Sequence, residues 1–183
     1  MKSQDELRKE IKKKLLEQSR QDRDDKSRLI IEKVTALPIF LKAKTLYCFV
    51  SMPQEVDTEL LIDRAFSQGK HVIVPKADLA NKQLHWYEIR SRSRDLREGV
   101  LGIHEPNPHT ARLFSGEPDC IFVPGVVFDK KNNRIGRGAG FYDRYLSTIP
   151  PYVRKIGLAF SFQVVSEFPL NPHDVGLDEV ITD

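Results

Sequence analysis

Residues 134–144 read RIGRGAGFYDR, the stretch of this 183-residue chain richest in groups suited to holding an anion. Gly136, Gly138 and Gly140 alternate with Arg137 and Ala139, Arg134 lies just upstream, and a helical pattern begins near Phe141. Glycine lets a backbone approach a phosphate closely and adopt positive φ. The start of a helix presents free N–H groups and a partial positive charge. Two guanidinium forks match phosphate oxygens. A flexible surface turn could also carry such residues, but both arginines, the helix start and Asp143 together favour phosphate. The spacing is neither a GxxxxGK[ST] loop nor a GxGxxG turn after a first strand. Asp143 reads either as a first-turn acid favoured by the helix dipole or as a hard oxygen ligand for Mg²⁺.

Loops of this kind must be held by regular elements. Leu7, Ile11 and Leu15 recur every four residues among charges, which predicts an amphipathic first helix. SRQDRDDKSR is expected to carry the turn into a second helix striped by Leu29, Ile30, Val34 and Leu37 and ended by Pro38. TLYCFV is the apolar run of a strand buried on both faces. Asp57 or Thr58 caps a helix TELLIDRAFSQ, with Gly69 at its C-terminal turn. HVIVP, LHWYEI, CIFVP with VVF close behind, IGLAF and EVIT read as strands, and FYDRYLSTI as a helix. The alternation predicts an α/β, Rossmann-like three-layer sandwich: a mostly parallel central sheet with helices on both faces. A ligand would then lie beyond the carboxyl ends of the strands, where the loops SMPQEVDT, PKADLANK and the glycine–arginine segment fall.

Composition limits the alternatives. Hydrophobic residues make up 40% and charged residues 30%, a profile expected of a single soluble cytoplasmic domain spanning residues 1–183. No apolar run reaches the ~18 residues of a membrane span, and MKSQDELRKEIKKK lacks the apolar core of a signal peptide. Net charge is +3, a mild excess that suits anionic small molecules. Lys9, Lys12, Lys13 and Lys14 could mark a nucleic-acid module, but Glu6, Glu10 and Glu17 interrupt them, as on an ordinary solvated face. Cys48 and Cys120 sit in apolar runs as buried thiols. The five histidines, His71, His85, His104, His109 and His173, show no zinc spacing. Trp86 and Tyr87 read first as packing residues, and SRSRDLR as a charged, solvated loop.

PGVVFDKKNNRIGRGAGFYDRYL resembles the signature of 5-formyltetrahydrofolate cyclo-ligases, also called methenyltetrahydrofolate synthetases. LRKEI, FVSMPQEVDT, KHVIVPK, GIHEPNP, LAFSFQ and HDVGLDEVIT are similar to that family in the same order, so the likeness covers essentially the whole chain. It implies an enzyme that uses ATP and Mg²⁺ to cyclise 5-formyltetrahydrofolate to 5,10-methenyltetrahydrofolate, with ADP and phosphate released and the formyl oxygen phosphorylated on the way. By the same resemblance Arg134, Ile135, Gly136, Arg137, Gly138, Ala139, Gly140, Phe141 and Tyr142 form the ATP loop. Residues Arg137 through Phe141 also face the folate. Arg134, Arg137 and Tyr142 are the expected catalytic groups, and Asp143 and Asp174 the Mg²⁺ ligands. Arg8 matches a phosphate-reaching base on the first helix, and Gln4 stands where the family usually has lysine. Ala139 and Phe141 are further departures, the loop often carrying Lys or Gly and then Tyr there. Val50 and Glu55 match folate contacts, Glu55 far in sequence from the phosphate loop, and Ile103, Glu105 and Pro106 a segment near the folate. The expected partners are 5-formyltetrahydrofolate and ATP, with no nucleic acid and no membrane, and the chain a monomer. The competing reading is a sugar-phosphate isomerase-like domain, which would act without ATP.

Overall fold

The computed structural model describes residues 2–99 and 103–183. Helix α1 (Gln4–Glu17) opens with a capping box, Ser3 accepting from the Glu6 amide while the Glu6 carboxylate accepts from Ser3 N. A cap of this kind contributes ~1 kcal/mol. Its Leu7 and Ile11 are buried against Val126, Val127, Ile135 and Phe168. The charged stretch after it is mostly helix rather than turn. Ser19 caps α2 (Arg20–Ala36), and Pro38 both follows its end and starts a short α3 (Pro38–Lys42). Proline tolerates that first helical position because the N–H it lacks has no partner there.

The central sheet has seven strands. They are β1 (Thr45–Tyr47), β2 (His71–Asp78), β3 (Gln83–Ile89), β6 (Arg112–Leu113), β7 (Cys120–Val123), β10 (Arg154–Leu158) and β12 (Glu179–Ile181), in the order β12-β10-β7-β1-β2-β3-β6. β12, β10, β7, β1 and β2 pair in parallel; β3 and β6 are antiparallel additions at one edge. Side chains alternate across the pleat. Leu46, Val72, Phe122 and Ile156 pack on Ile30, Ile31 and Val34 of α2 and on Leu61, Ile62 and Ala65 of α4 (Glu59–Ser67). Tyr47, Ile73, Ile121 and Val123 face the opposite layer with Trp86, Leu146 and Leu177. The expected α/β sandwich, helices on both faces, is therefore the fold.

Several elements differ in extent. TLYCFV yields only three strand residues, although Cys48 N still donates to Ile73 O at 2.9 Å. VVF does not extend the central sheet: β8 (Val127–Asp129) pairs with β9 (Arg134–Ile135) and β11 (Val164–Val165) in a separate small sheet. SRSRDLR is regular structure rather than a loop, although Ser93, Arg94 and Arg97 are exposed as a solvated face requires. It forms α5 (Arg92–Asp95) and β4 (Leu96–Glu98), and β4 pairs with β5 (His104–Pro106). Asp95 is buried there because it accepts from the amides of Arg90 and Ser91 and from Arg94. Thr58 is the N-cap residue of α4 but makes no side-chain cap bond, because its hydroxyl donates to Phe49 O; Asp57, one residue earlier, accepts from Glu59 N at 2.9 Å instead. Helix α6 (Phe141–Leu146) has six residues rather than nine.

Candidate active site

Chain order reverses across the sheet between β1 and β7, since β2 lies on one side of β1 while β10 lies beyond β7. Open parallel sheets have a crevice at such a point, at the carboxyl ends of the strands. A cleft of about 210 Å³ lies there. Phe49 and Glu55 line it from the segment after β1, Pro124 to Val126 from that after β7, and Lys12 and Leu15 from α1. Arg137 completes the rim. Gln163, which sequence reasoning missed, fixes one wall by donating to Gly125 O and Val126 O, both at 3.0 Å.

The glycine–arginine loop leaves the β8–β9 hairpin and enters α6 beside this cleft. Gly138 has φ +111° and Gly140 φ +68°, backbone states that side chains beyond glycine rarely adopt. None of the backbone N–H groups from Gly136 to Asp143 donates to a protein acceptor among the described residues. A run of unpaired amides is the raw material of an anion site. With α6 so short, the loop amides and arginines carry that capacity more than a helix macrodipole does.

The two arginines of the motif differ. Arg134 is 3% exposed; its Nη2 donates to Asp143 Oδ1 at 2.7 Å and its Nη1 to Pro124 O at 3.4 Å. Asp143 is thus a buried cation's counter-charge, and its Oδ1 also accepts from Val175 N at 3.3 Å. Arg137 is 46% exposed and donates through Nη2 and Nε to Glu55 Oε1, at 2.8 and 3.2 Å. Glu55, far away in sequence, therefore reaches the glycine–arginine loop itself, and its other oxygen accepts from Met52 N at 2.9 Å. Arg134 Nε and the Tyr142 hydroxyl are buried without a partner among the described residues. Burial first, and the Glu55 charge second, push the Tyr142 phenol well above its usual range. At neutral pH Tyr142 is a hydrogen-bond donor and not a base.

Of the remaining predicted residues, Gln4, Arg8 and Asp174 gather around the loop, whereas Val50, Ile103, Glu105 and Pro106 make no hydrogen bond to it among the described residues. Burial of Leu7 and Ile11 turns Gln4 and Arg8, one helical turn apart, toward it. Arg8 Nε donates to Gly136 O at 2.9 Å, and Gln4 Nε2 donates to Asp174 Oδ2 at 2.7 Å and to Pro169 O at 3.0 Å. Ile135 is buried in the α1 cluster, Val50 packs against the core beyond β1, and Phe141 lies under the Arg144 guanidinium at 5.5 Å. Glu105 and Pro106 lie on β5, where Glu105 is paired with Lys76, and the Ile103 carbonyl accepts from Gly99 N at 2.7 Å. Arg144 also holds Ala139 O (2.7 Å), a contact with no signal in the sequence beyond its place one turn into α6.

A hydrated Mg²⁺ needs only one or two carboxylates besides phosphate oxygens and water. Asp143 and Asp174 meet that need: the Asp143–Val175 bond sets them in adjacent segments. Asp143 Oδ2 and Asp174 Oδ1 accept no hydrogen bond among the described residues. The donor set fits the ion.

A sequence model described as the 5-formyltetrahydrofolate cyclo-ligase family matches residues 1–183. The 5-formyltetrahydrofolate cyclo-ligase of Mus musculus is 34% identical over 186 residues, covering 96% of this chain and 91% of the mouse protein. That of Escherichia coli K12 is 31% identical over 148 residues, 79% and 81% of the two chains. Among solved structures, a 5,10-methenyltetrahydrofolate synthetase from Mycoplasma pneumoniae superposes with a TM-score of 0.80 at 26% identity, covering 100% of this chain and 99% of that one. The synthetase of Aquifex aeolicus gives 0.79 at 32% identity, covering 97% and 88%.

Proposed function

The chain belongs to the 5-formyltetrahydrofolate cyclo-ligase family and is a ligase, and we propose that it closes 5-formyltetrahydrofolate to 5,10-methenyltetrahydrofolate at the expense of ATP. The observation that supports this reading is a single loop that combines unpaired amides with an arginine at the cleft. Unpaired amides from Gly136 onward form a cradle for phosphate, while Arg137 of the same loop lines the cleft at the strand ends.

The reaction has two steps. The formyl oxygen attacks the γ-phosphorus, the bond to the β-phosphate oxygen breaks, and ADP leaves. N10 then attacks the activated carbon, its proton is lost, and the carbon–oxygen bond breaks to release phosphate. An amide oxygen is a poor nucleophile, so alignment and charge neutralisation carry most of the work. Arg137, half exposed at the rim, meets the transferring phosphoryl group once ligands replace its partner Glu55. Glu55 then serves the folate beside Val50. Arg134 supports the loop from beneath, and its Nε with the Tyr142 hydroxyl supplies donors for a ligand oxygen. Arg8 and Gln4 close the phosphate side from α1. Asp143 and Asp174 would hold Mg²⁺, which supplies positive charge against the phosphate oxygens.

The methenyl product has a near-ultraviolet chromophore that the substrate lacks, so absorbance follows the reaction directly. A rise that requires both ATP and Mg²⁺ is expected. No rise with both present sinks the reading, and a rise without ATP refutes the phosphorylated route.

A further inference from the structure

We propose that Arg144 is a positioning residue for the phosphate loop: by holding the Ala139 carbonyl outward it turns the Gly140 amide toward the anion. The inference rests on the reading of residues 134–142 as a phosphate cradle and adds the device that orients it.

In a trans peptide the C=O and N–H of one plane point in opposite directions. A cradle for anions needs its amides convergent and its carbonyls turned away. A loop with three alternating glycines does not decide this by itself, because glycine costs little to rotate. The described residues contain no cis peptide, so fixing a carbonyl fixes the following amide. Two arginines outside the loop's glycine run do this. Arg8 takes Gly136 O, which sets the Arg137 amide.

Arg144 takes Ala139 O at 2.7 Å through Nη2, which sets the Gly140 amide. Its Nε donates at 2.9 Å to Lys82 O in the turn between β2 and β3, tying the loop to the central sheet. The same guanidinium lies over the Phe141 ring at 5.5 Å. A Cβ on residue 140 would stand 2.9 Å from Arg144 Nη1, so the glycine there gives the guanidinium its room. Arg144 does not line the cleft, and therefore acts through the peptide it holds. Its planar fork spans two carbonyls at once; a lysine brings the charge but not the span.

The test compares the unmodified chain with R144K and R144A by ADP affinity, by KM for ATP in the absorbance assay, and by Tm. Arg144 is exposed, so both variants should fold, with Tm within a few degrees of the parent. Loss of one oriented amide should weaken ADP binding and raise KM for ATP about tenfold, to a similar extent in both variants. Full recovery of nucleotide affinity in R144K would show that charge alone matters and would overturn the proposal, as would an unchanged affinity in R144A. ADP affinity is scored whether or not the parent turns over. Absence of cyclisation in the parent with the affinity loss intact defeats the substrate reading and leaves this one standing.

Discussion

Asp143→Asn keeps the shape of a side chain and removes its charge, which separates its two roles. Asp143 Oδ1 lies 2.7 Å from Arg134 Nη2, and the arginine is 3% exposed. Removing one partner of a buried ion pair costs about 3–5 kcal/mol, because the other charge stays buried and unpaired. Asp143 is 18% exposed, and an asparagine carbonyl still accepts the Nη2 hydrogen bond. The expected cost is therefore about 2 kcal/mol. In a chain of 183 residues each kcal/mol shifts Tm by ~2–4 °C, so Asp143→Asn should melt ~4–8 °C lower. Asp174 makes no ion pair among the described residues; it accepts from Gln4 and from Asn171 N. Asp174→Asn should cost under about 1 kcal/mol. Both variants should need more Mg²⁺ for half-maximal rate, and the double variant should fall short of the product of the two effects because one ion is shared. Thermal unfolding and a magnesium titration on the three variants read the two roles independently. An unchanged Tm for Asp143→Asn would refute its part as the counter-charge of Arg134. An unchanged Mg²⁺ requirement in both single variants would refute the metal pair.

Arg137→Ala should lower turnover by ~10²–10³, the usual loss on deleting one preorganised contact to developing charge, with Tm almost unmoved because the side chain is half exposed; near-normal turnover excludes it from the phosphate contact. Glu55→Ala should raise KM for folate and also disturb KM for ATP, since it releases Arg137. Steady-state kinetics showing a folate effect alone would mean the Arg137–Glu55 pair is not maintained in solution. Tyr142 has a folded pKa raised by burial, and Tyr47 one pushed up to about 12. The folded state then holds protons that the unfolded chain releases near pH 10, so their contribution is complete below that pH and is lost as pH rises through the folded values. Alkaline unfolding should begin above about pH 10, and Tyr142→Phe should move its midpoint upward; a midpoint that stays put removes Tyr142 from that linkage.

The α/β architecture was legible because strand runs such as HVIVP and CIFVP are apolar on both faces, and helix stripes such as Leu7–Ile11 repeat at helical spacing. Element ends were less so. TLYCFV keeps its apolar pattern past Tyr47 only because Cys48 and Phe49 continue into the core without a full ladder. SRSRDLR looks solvated by charge, yet Asp95 collects three donors that no local pattern announces.

At the site, residue types and spacing within 134–144 pointed to an anion loop, since glycine freedom, guanidinium charge and a nearby carboxylate are local properties of the chain. Which groups face one another was decided only by packing. Burying Leu7 and Ile11 on the β8–β9 hairpin brings Gln4 to Asp174 and Arg8 to Gly136 across more than a hundred residues. The reversal of strand order beside β1 puts Glu55 against Arg137, and the β2–β3 turn offers Lys82 O to Arg144. The sequence determined that the chain carries a glycine–arginine loop suited to an anion in an α/β sheet. That Arg134 is a buried support, and Arg137 the arginine at the rim, was decided by the tertiary structure, because two arginines three residues apart look alike until the core takes one of them out of water.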